Sequence, residues 1–357
     1  MLLHNSIKTN MLQIDHVHFY VENAHRWRDW FVNNLSFETV LHQGISSDLI
    51  NHKKLPDTDT QVVRSGSVCF LISSPLLETS PVADFLCHHP PGVADVAFRV
   101  ENIETFTARV INYGAIVLQP IQKTQSGKYC QIKGWGNLSH SLIELPREPI
   151  IEKDNFLDID HVVLNVESGD LIKAAQWYEN ILEFKPQQSF NIHTGISGLN
   201  SQVMISGNGK VKFPINQPTS NNSQIQEFLH FNRGSGVQHI ALSTTNIAQA
   251  IARFRAAGVT FLSIPQSYYS QLHQRFQSVL SPSEFQAIAQ QEILIDSQGS
   301  TNGLLLQIFT QPIFKEPTFF LEFIERRSHP SGFGEGNFRA LFTAMENEQI
   351  KRGFVTS

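Results

Sequence analysis

The chain repeats itself, and the repeat limits what it can fold into. Residues 12 to 146 lie over residues 157 to 322 with the same elements returning in the same order. Ile14-Asp15-His16-Val17 returns as Ile159-Asp160-His161-Val162, and Gly92-Val93-Ala94-Asp95 returns as Gly236-Val237-Gln238-His239. Asn102-Ile103 and Gly114-Ala115 come back as Asn246-Ile247 and Gly258-Val259. In each half a β-branched apolar run gives way to helical spacing: Trp27, Trp30 and Phe31 in the first, Ala174, Trp177, Tyr178 and Ile181 in the second. Gly114 and Gly258 fall where a second helix should end, because a residue without Cβ takes the left-handed conformation cheaply. Each half therefore reads as a pair of strand-helix-strand modules in an α+β fold. The proline-containing, charged stretch Pro146 to Asn155 is the expected linker between domains 1–150 and 151–357. The second half carries an insertion around Pro265 to Ser297, in which Gln271 to Gln290 reads as helical and able to cover a site.

With 41% hydrophobic and 17% charged residues, the chain is of the soluble globular class, with true cores. A net charge of -5 and scattered Lys and Arg offer no basic stripe, which excludes nucleic acid as an expected partner. No run approaches the roughly 20 apolar residues a membrane span needs. Met1 to Asn10 lacks the basic-then-apolar order of a secretory signal, so the expected location is cytoplasmic. Three cysteines, Cys69, Cys87 and Cys130, fit free thiols in a reducing compartment. Cys87-His88-His89 stands before Pro90-Pro91 without partners at ligand spacing and reads as a loop.

The repeat also shows where chemistry could sit. In the second half it places His161 and His239 on strands, and the terminal strand Thr318 to Ile324 offers Glu322 among apolar neighbours. Strand alternation sends Phe320, Glu322 and Ile324 to one face. An unpaired carboxylate buried there would be costly, so either a cation or a salt bridge to Arg326 or Arg327 should neutralise it. Two imidazoles and one carboxylate on one face would leave coordination positions open for a substrate and O2. In the first half the equivalent residues read as His16, Asp95 and Glu144; with Asp95 standing in the place of His239, that half is expected to lack a complete metal site. Near the C-terminus, Gly332-x-Gly334-x-Gly336 is not followed by the acidic residue and second strand of a dinucleotide site. Phe338 to Lys351 reads instead as a final helix that closes the mouth of the second half as a lid, with Phe338 facing in.

Six blocks give the second half a specific resemblance: Ser197-Gly198-Leu199-Asn200-Ser201, Pro214-Ile215-Asn216-Gln217-Pro218, Ser223-Gln224-Ile225-Gln226, Gly236-Val237-Gln238-His239, Leu305-Leu306-Gln307-Ile308-Phe309-Thr310 and Gly332-Phe333-Gly334-Glu335-Gly336-Asn337-Phe338. With these the chain resembles the 4-hydroxyphenylpyruvate dioxygenases, members of the vicinal-oxygen-chelate superfamily, over nearly its whole length. The resemblance implies tandem βαβββ modules in two open-barrel domains and one Fe(II) per subunit held by His161, His239 and Glu322. It implies a substrate pocket of Ser201, Asn216, Gln224, Gln238, Gln307, Phe309, Phe333, Asn337 and Phe338, with Gln238, Gln307, Asn216, Phe309 and Phe338 closest to the chemistry.

The implied reaction takes 4-hydroxyphenylpyruvate and O2 to homogentisate and CO2 by oxidative decarboxylation, ring hydroxylation and side-chain migration. The substrate's own 2-oxo acid would chelate the metal, so no separate cosubstrate is needed. Uncharged amides and hydroxyls suit a phenol and an oxo acid, and an unpaired buried amide would penalise a substrate lacking the hydroxyl by roughly 1 to 3 kcal/mol. A homodimer or homotetramer is also implied. The nearest alternative is 4-hydroxymandelate synthase, against which Asn216 and Phe338 fit the ring-hydroxylating pattern. A non-catalytic aromatic-ligand-binding protein on the same modules is a second alternative. The blocks around Asn216 and Phe333 do not suit an extradiol catechol enzyme, and no His-Glu-x-x-His suggests a zinc hydrolase.

Overall fold

In the computed structural model, which describes residues 12–40, 57–124, 127–145, 156–193, 197–297, 303–328 and 332–354, the repeat becomes two eight-stranded mixed sheets of identical order. The expected linker lies outside the described residues. The first half runs β1 (Gln13–Tyr20), α1 (Ala24–Leu35), β2 (Glu38–Thr39), β3 (Thr58–Ser65), β4 (Val68–Pro75), α2 (Pro81–His88), β5 (Gly92–Arg99), α3 (Ile103–Asn112), β6 (Val117–Lys123), β7 (Lys128–Lys133) and β8 (Ser139–Glu144). The second runs β9 (Ile159–Asn165), α4 (Leu171–Leu182), β10 (Lys185–His193), β11 (Gly198–Ile205), β12 (Lys212–Pro218), α5 (Gln224–Asn232), β13 (Gly236–Ser243) and α6 (Ile247–Ala256). It continues with α7 (Gln266–Phe276), α8 (Pro282–Gln290), β14 (Leu294–Ser297), β15 (Leu304–Phe309), β16 (Phe320–Arg327) and α9 (Phe338–Arg352). The strand orders are β2-β3-β4-β1-β5-β8-β7-β6 and β10-β11-β12-β9-β13-β16-β15-β14. Each half is thus a pair of βαβββ modules joined through its two opening strands, as expected.

Local chemistry sets the boundaries. Asn102 and Asn246 cap α3 and α6 by accepting from the backbone N–H three residues on, and Gly114 and Gly258 follow those helices at φ +89 and +95. The single helix expected over 271–290 is broken in two: Ser281 caps a new helix and Pro282 takes its first position, where a missing N–H costs nothing. Cys87 and His88 end helix α2 rather than forming a loop, and His89 then clamps the halves together, its Nδ1 2.7 Å from Asn232 O and its Nε2 2.7 Å from Asn137 Nδ2.

The halves share one apolar core. Phe19 meets Phe319 at 5.2 Å between centroids, Phe37 meets Phe156 at 5.5 Å, and Phe98 meets Phe184 at 5.9 Å. A buried phenylalanine contributes about 1.5 to 3 kcal/mol, so this seam fixes the sheets against each other without using their inner faces. The inner face of the second sheet is left for a site.

Candidate active site

The sheet order makes β9, β13 and β16 adjacent, and each supplies one member of the expected triad. Ala241 on β13 pairs with His161 on one side and Glu322 on the other. Strands lie about 4.8 Å apart, so His161 and Glu322 reach toward each other over the smallest side chain that could separate them. His239 is two residues along β13 on the same face. The β-bulge between Val237 and His239 turns Gln238 toward the cavity as well, so two successive residues line it.

His161 Nε2 lies 3.1 Å from Glu322 Oε2, and His239 Nε2 lies 3.5 Å from the same oxygen. The three ligand atoms fall within 4.8 Å of one another, and no other such group occurs among the described residues. Ligands bound side by side at about 2.1 Å from one ion stand roughly 3 Å apart, so this donor set fits a metal centre. The salt bridge considered for Glu322 is absent: Arg326 pairs with Asp160, and Arg327 pairs with Glu325 and Glu284.

Each donor is held from behind. Asp160 Oδ1 accepts from His161 Nδ1 at 2.8 Å, which leaves Nε2 as the ligand atom, and Arg326 braces Asp160 with two bonds of 2.7 and 2.8 Å. Burial opposes ionisation of Asp160, but Arg326 and His161 outweigh it and hold the carboxyl well below its ordinary value. The His239 ring stacks on Phe320 at 4.7 Å, while its buried Nδ1 has no hydrogen-bond partner. Burial pushes His239 below its ordinary value; in His161 burial is overcome by Glu322 and Asp160, and the imidazole is raised. Glu322, despite burial, is lowered to about 2 by the two imidazoles.

The surrounding cavity has a volume of about 90 Å³. Ser201, Asn216, Gln224, Gln238, Gln307, Phe309, Phe333 and Phe338 all line it, together with the triad supplied by β9, β13 and β16. Ser201 and Asn216 face each other across β11 and β12, and Gln238 donates a long 3.4 Å bond to Gln224. Asn337 is not among the lining residues: it sits behind Gln307, donating to Gln307 Oε1 at 3.1 Å. Gln307 in turn donates to Glu322 Oε1 at 2.8 Å and to Phe333 O at 3.1 Å, so its amide is directed at the carboxylate.

The glycines of 332–336 serve these contacts. Gly334 takes φ +83, and a Cβ there would come within 1.9 Å of Gln307 Oε1; one at Gly336 would come within 2.4 Å of Asp296. Helix α9 then lays Phe338, Leu341, Phe342 and Met345 over the cavity, an i, i+3, i+4, i+7 stripe that extends the inward face beyond Phe338. Asp160 carries a sequence signal too, since the Asp-His pair occurs in both halves. Phe190, 5.2 Å from Phe338 in an edge-on contact, had no distinguishing signal.

In the first half the triad does not form. The register pairs Asp95 with Ser139 as it pairs His239 with Phe320, and Phe98 with Leu142 as Leu242 with Phe323. Ser141, not Glu144, therefore corresponds to Glu322, and the expected equivalence of Glu144 is corrected. Glu144 points away, accepting from the Ile103 N–H at 2.7 Å and from Lys128 at 3.0 Å.

Comparison with known proteins now decides the family. The chain is 36% identical to 4-hydroxyphenylpyruvate dioxygenase of Caenorhabditis briggsae across 96% of its own length and 93% of the relative's. It is also 36% identical to that of Yarrowia lipolytica, across 95% and 92%. The chain belongs to the 4-hydroxyphenylpyruvate dioxygenase family. Residues 158–286 match the Glyoxalase/Bleomycin resistance protein/Dioxygenase superfamily, which places the wider kinship of this dioxygenase family in the half that carries the triad. Among solved structures, a triple mutant of 4-hydroxymandelate synthase from Streptomyces coelicolor superimposes with a TM-score of 0.82 at 25% identity, covering 94% of this chain and 98% of the other. The dioxygenase family and that synthase thus share the architecture described above.

Proposed function

We propose that this chain converts 4-hydroxyphenylpyruvate and O2 to homogentisate and CO2, with Fe(II) held by His161, His239 and Glu322. The observation that carries the reading is a His-His-Glu triad in the wall of an aromatic-lined cavity, in a chain that matches the dioxygenase relatives along nearly their whole length. Fe(II) in that place would supply the redox chemistry and the coordination of a 2-oxo acid and O2.

The chain's own share is placement and exclusion of water. Phe309, Phe333 and Phe338 present rings to an aromatic substrate, and Phe333 also packs edge-on against His161 at 5.4 Å. Ser201, Asn216, Gln224 and Gln238 offer uncharged donors and acceptors to the phenol and the oxo acid without competing for the metal. Gln307 and Asn337 act through Glu322. The stripe on α9 covers the cavity and keeps bulk water from the reacting end. Three free cysteines support a reducing, cytoplasmic setting, and the family resemblance supports a homodimer or homotetramer.

The structural likeness to 4-hydroxymandelate synthase supplies the second reading, in which the benzylic carbon is hydroxylated instead of the ring. Chromatography and mass spectrometry of the product from 4-hydroxyphenylpyruvate separate the two: homogentisate supports the proposal, and 4-hydroxymandelate overturns it while keeping the metal site.

A further inference from the structure

Tyr268, on the inserted helix α7, is separated from the triad by two amides, yet every hydrogen bond on the way points toward Glu322. Its hydroxyl donates to Asn337 Oδ1 at 2.8 Å, Asn337 Nδ2 donates to Gln307 Oε1 at 3.1 Å, and Gln307 Nε2 donates to Glu322 Oε1 at 2.8 Å. The order of these bonds is set from the carboxylate end. A carboxylate only accepts, so Gln307 must present Nε2 to it, and the Phe333 carbonyl demands the same. Gln307 Oε1 then requires a donor, which turns Asn337 so that its oxygen faces the tyrosine. The Ile295 N–H, 2.9 Å from the phenol oxygen, occupies an acceptor site of Tyr268, whose one proton has two acceptors in reach, Asn337 Oδ1 at 2.8 Å and the Ile295 carbonyl at 3.1 Å, the amide being the nearer.

We propose that Tyr268 is a positioning residue for Glu322, holding the carboxylate so that Oε1 is engaged by the protein and Oε2 alone faces the imidazoles. This rests on the reading of the triad as a metal centre. Both imidazole contacts of Glu322 are to Oε2, at 3.1 and 3.5 Å, and Oε1 is the oxygen that takes the Gln307 bond. A carboxylate so held would offer a metal one oxygen, Oε2, while Oε1 stays engaged by Gln307. Charge-assisted bonds polarise the links behind them, so the terminal donor strengthens the whole relay. Loss of the hydroxyl strands Asn337 Oδ1 in a buried place, and an amide that turns to find a donor would set two acceptors against each other at Gln307. Burial also keeps the phenol protonated, since it raises Tyr268 above its ordinary value.

The neighbouring Tyr269 provides the control. Its hydroxyl donates to Ile293 O at 3.1 Å, on the same helix but outside the relay. The full-length, metal-free protein, Tyr268→Phe and Tyr269→Phe are titrated anaerobically with Co(II), reading the dissociation constant and the visible absorption of the bound ion. The expected result is about tenfold weaker binding and an altered spectrum for Tyr268→Phe alone, in line with other supports of metal ligands. Binding within threefold of the unaltered protein with the same spectrum overturns the proposal, as does an equal effect of both variants. If Tyr268→Phe does not fold, Asn337→Ala cuts the same relay, and an unaltered spectrum there overturns the proposal too. Failure of the unaltered protein to bind Co(II) in a way that Glu322→Ala abolishes would instead sink the metal reading beneath it.

Discussion

Glu144 and Glu325 hold the same place in the two halves of the molecule: each accepts the first backbone N–H of the helix that follows its partner strand, from Ile103 at 2.7 Å and from Ile247 at 2.8 Å. They are helix-capping carboxylates, and the position that carries Glu322 of the triad lies three residues earlier, occupied by Ser141 in the first half. Glu144→Gln is expected to cost about 1 kcal/mol of stability and to leave metal content at one ion per chain. Glu322→Gln should abolish tight binding. Metal analysis of the two purified variants checks this; loss of metal from Glu144→Gln would contradict the correspondence.

Metal uptake should release the proton that His161 carries below its raised pKa. In the metal-free protein His161 is raised above its ordinary value by Glu322 and Asp160 against the effect of burial, His239 is lowered, and Glu322 is ionised down to about pH 2. His161 is then the ligand that holds its proton to the higher pH. Affinity should rise about tenfold per pH unit below the pKa of His161 and level off above it. Calorimetry in buffers of different ionisation enthalpy counts the protons, and release of two would show that His239 is charged as well.

Asp160→Asn should weaken metal binding by roughly 10- to 100-fold, because the brace behind His161 loses its charge. It should also destabilise the fold by about 3 kcal/mol, since Arg326 and Lys212 lose the buried carboxylate they share. The native pKa of Asp160 lies well below 3.8, so this stabilisation is complete above that pH and fades as the pH falls through the native value. Denaturant melts of both proteins at pH 7 and near pH 2 should show the difference shrink in acid.

Ala241→Leu places a branched side chain between His161 and Glu322. The expected outcome is loss of metal binding by at least about 100-fold with only about 1 to 3 kcal/mol of destabilisation. Parallel metal titration and thermal melting test it, and normal metal affinity would contradict the view that a small residue at this crossing is what lets the ligands meet.

Much of this was legible in the sequence because a duplicated chain carries its own comparison. The repeated Ile-Asp-His-Val marked the opening strands, and the paired Asn-Ile and Gly positions marked helix caps and ends. The register of the last strand was harder, since apolar strands slide past one another without changing their pattern. Ser141-Leu142-Ile143-Glu144 against Glu322-Phe323-Ile324-Glu325 shows the right alignment, but only the pairing of Asp95 with Ser139 and His239 with Phe320 decides it. The break at Ser281-Pro282 was written in the sequence as a cap followed by proline. Residue types alone did not reveal that Asn337 stands behind Gln307, because an amide suits a substrate and a neighbouring amide equally well.

The most direct test of the account begins with protein stripped of metal by a chelator. Anaerobic addition of one equivalent of Fe(II), then of 4-hydroxyphenylpyruvate and O2, should yield homogentisate with one CO2 per O2 consumed. The same sequence with Zn(II), or with Glu322→Ala, should yield none. Equal turnover by the stripped protein or with Zn(II), or bound Fe(II) without O2 consumption, would contradict the account.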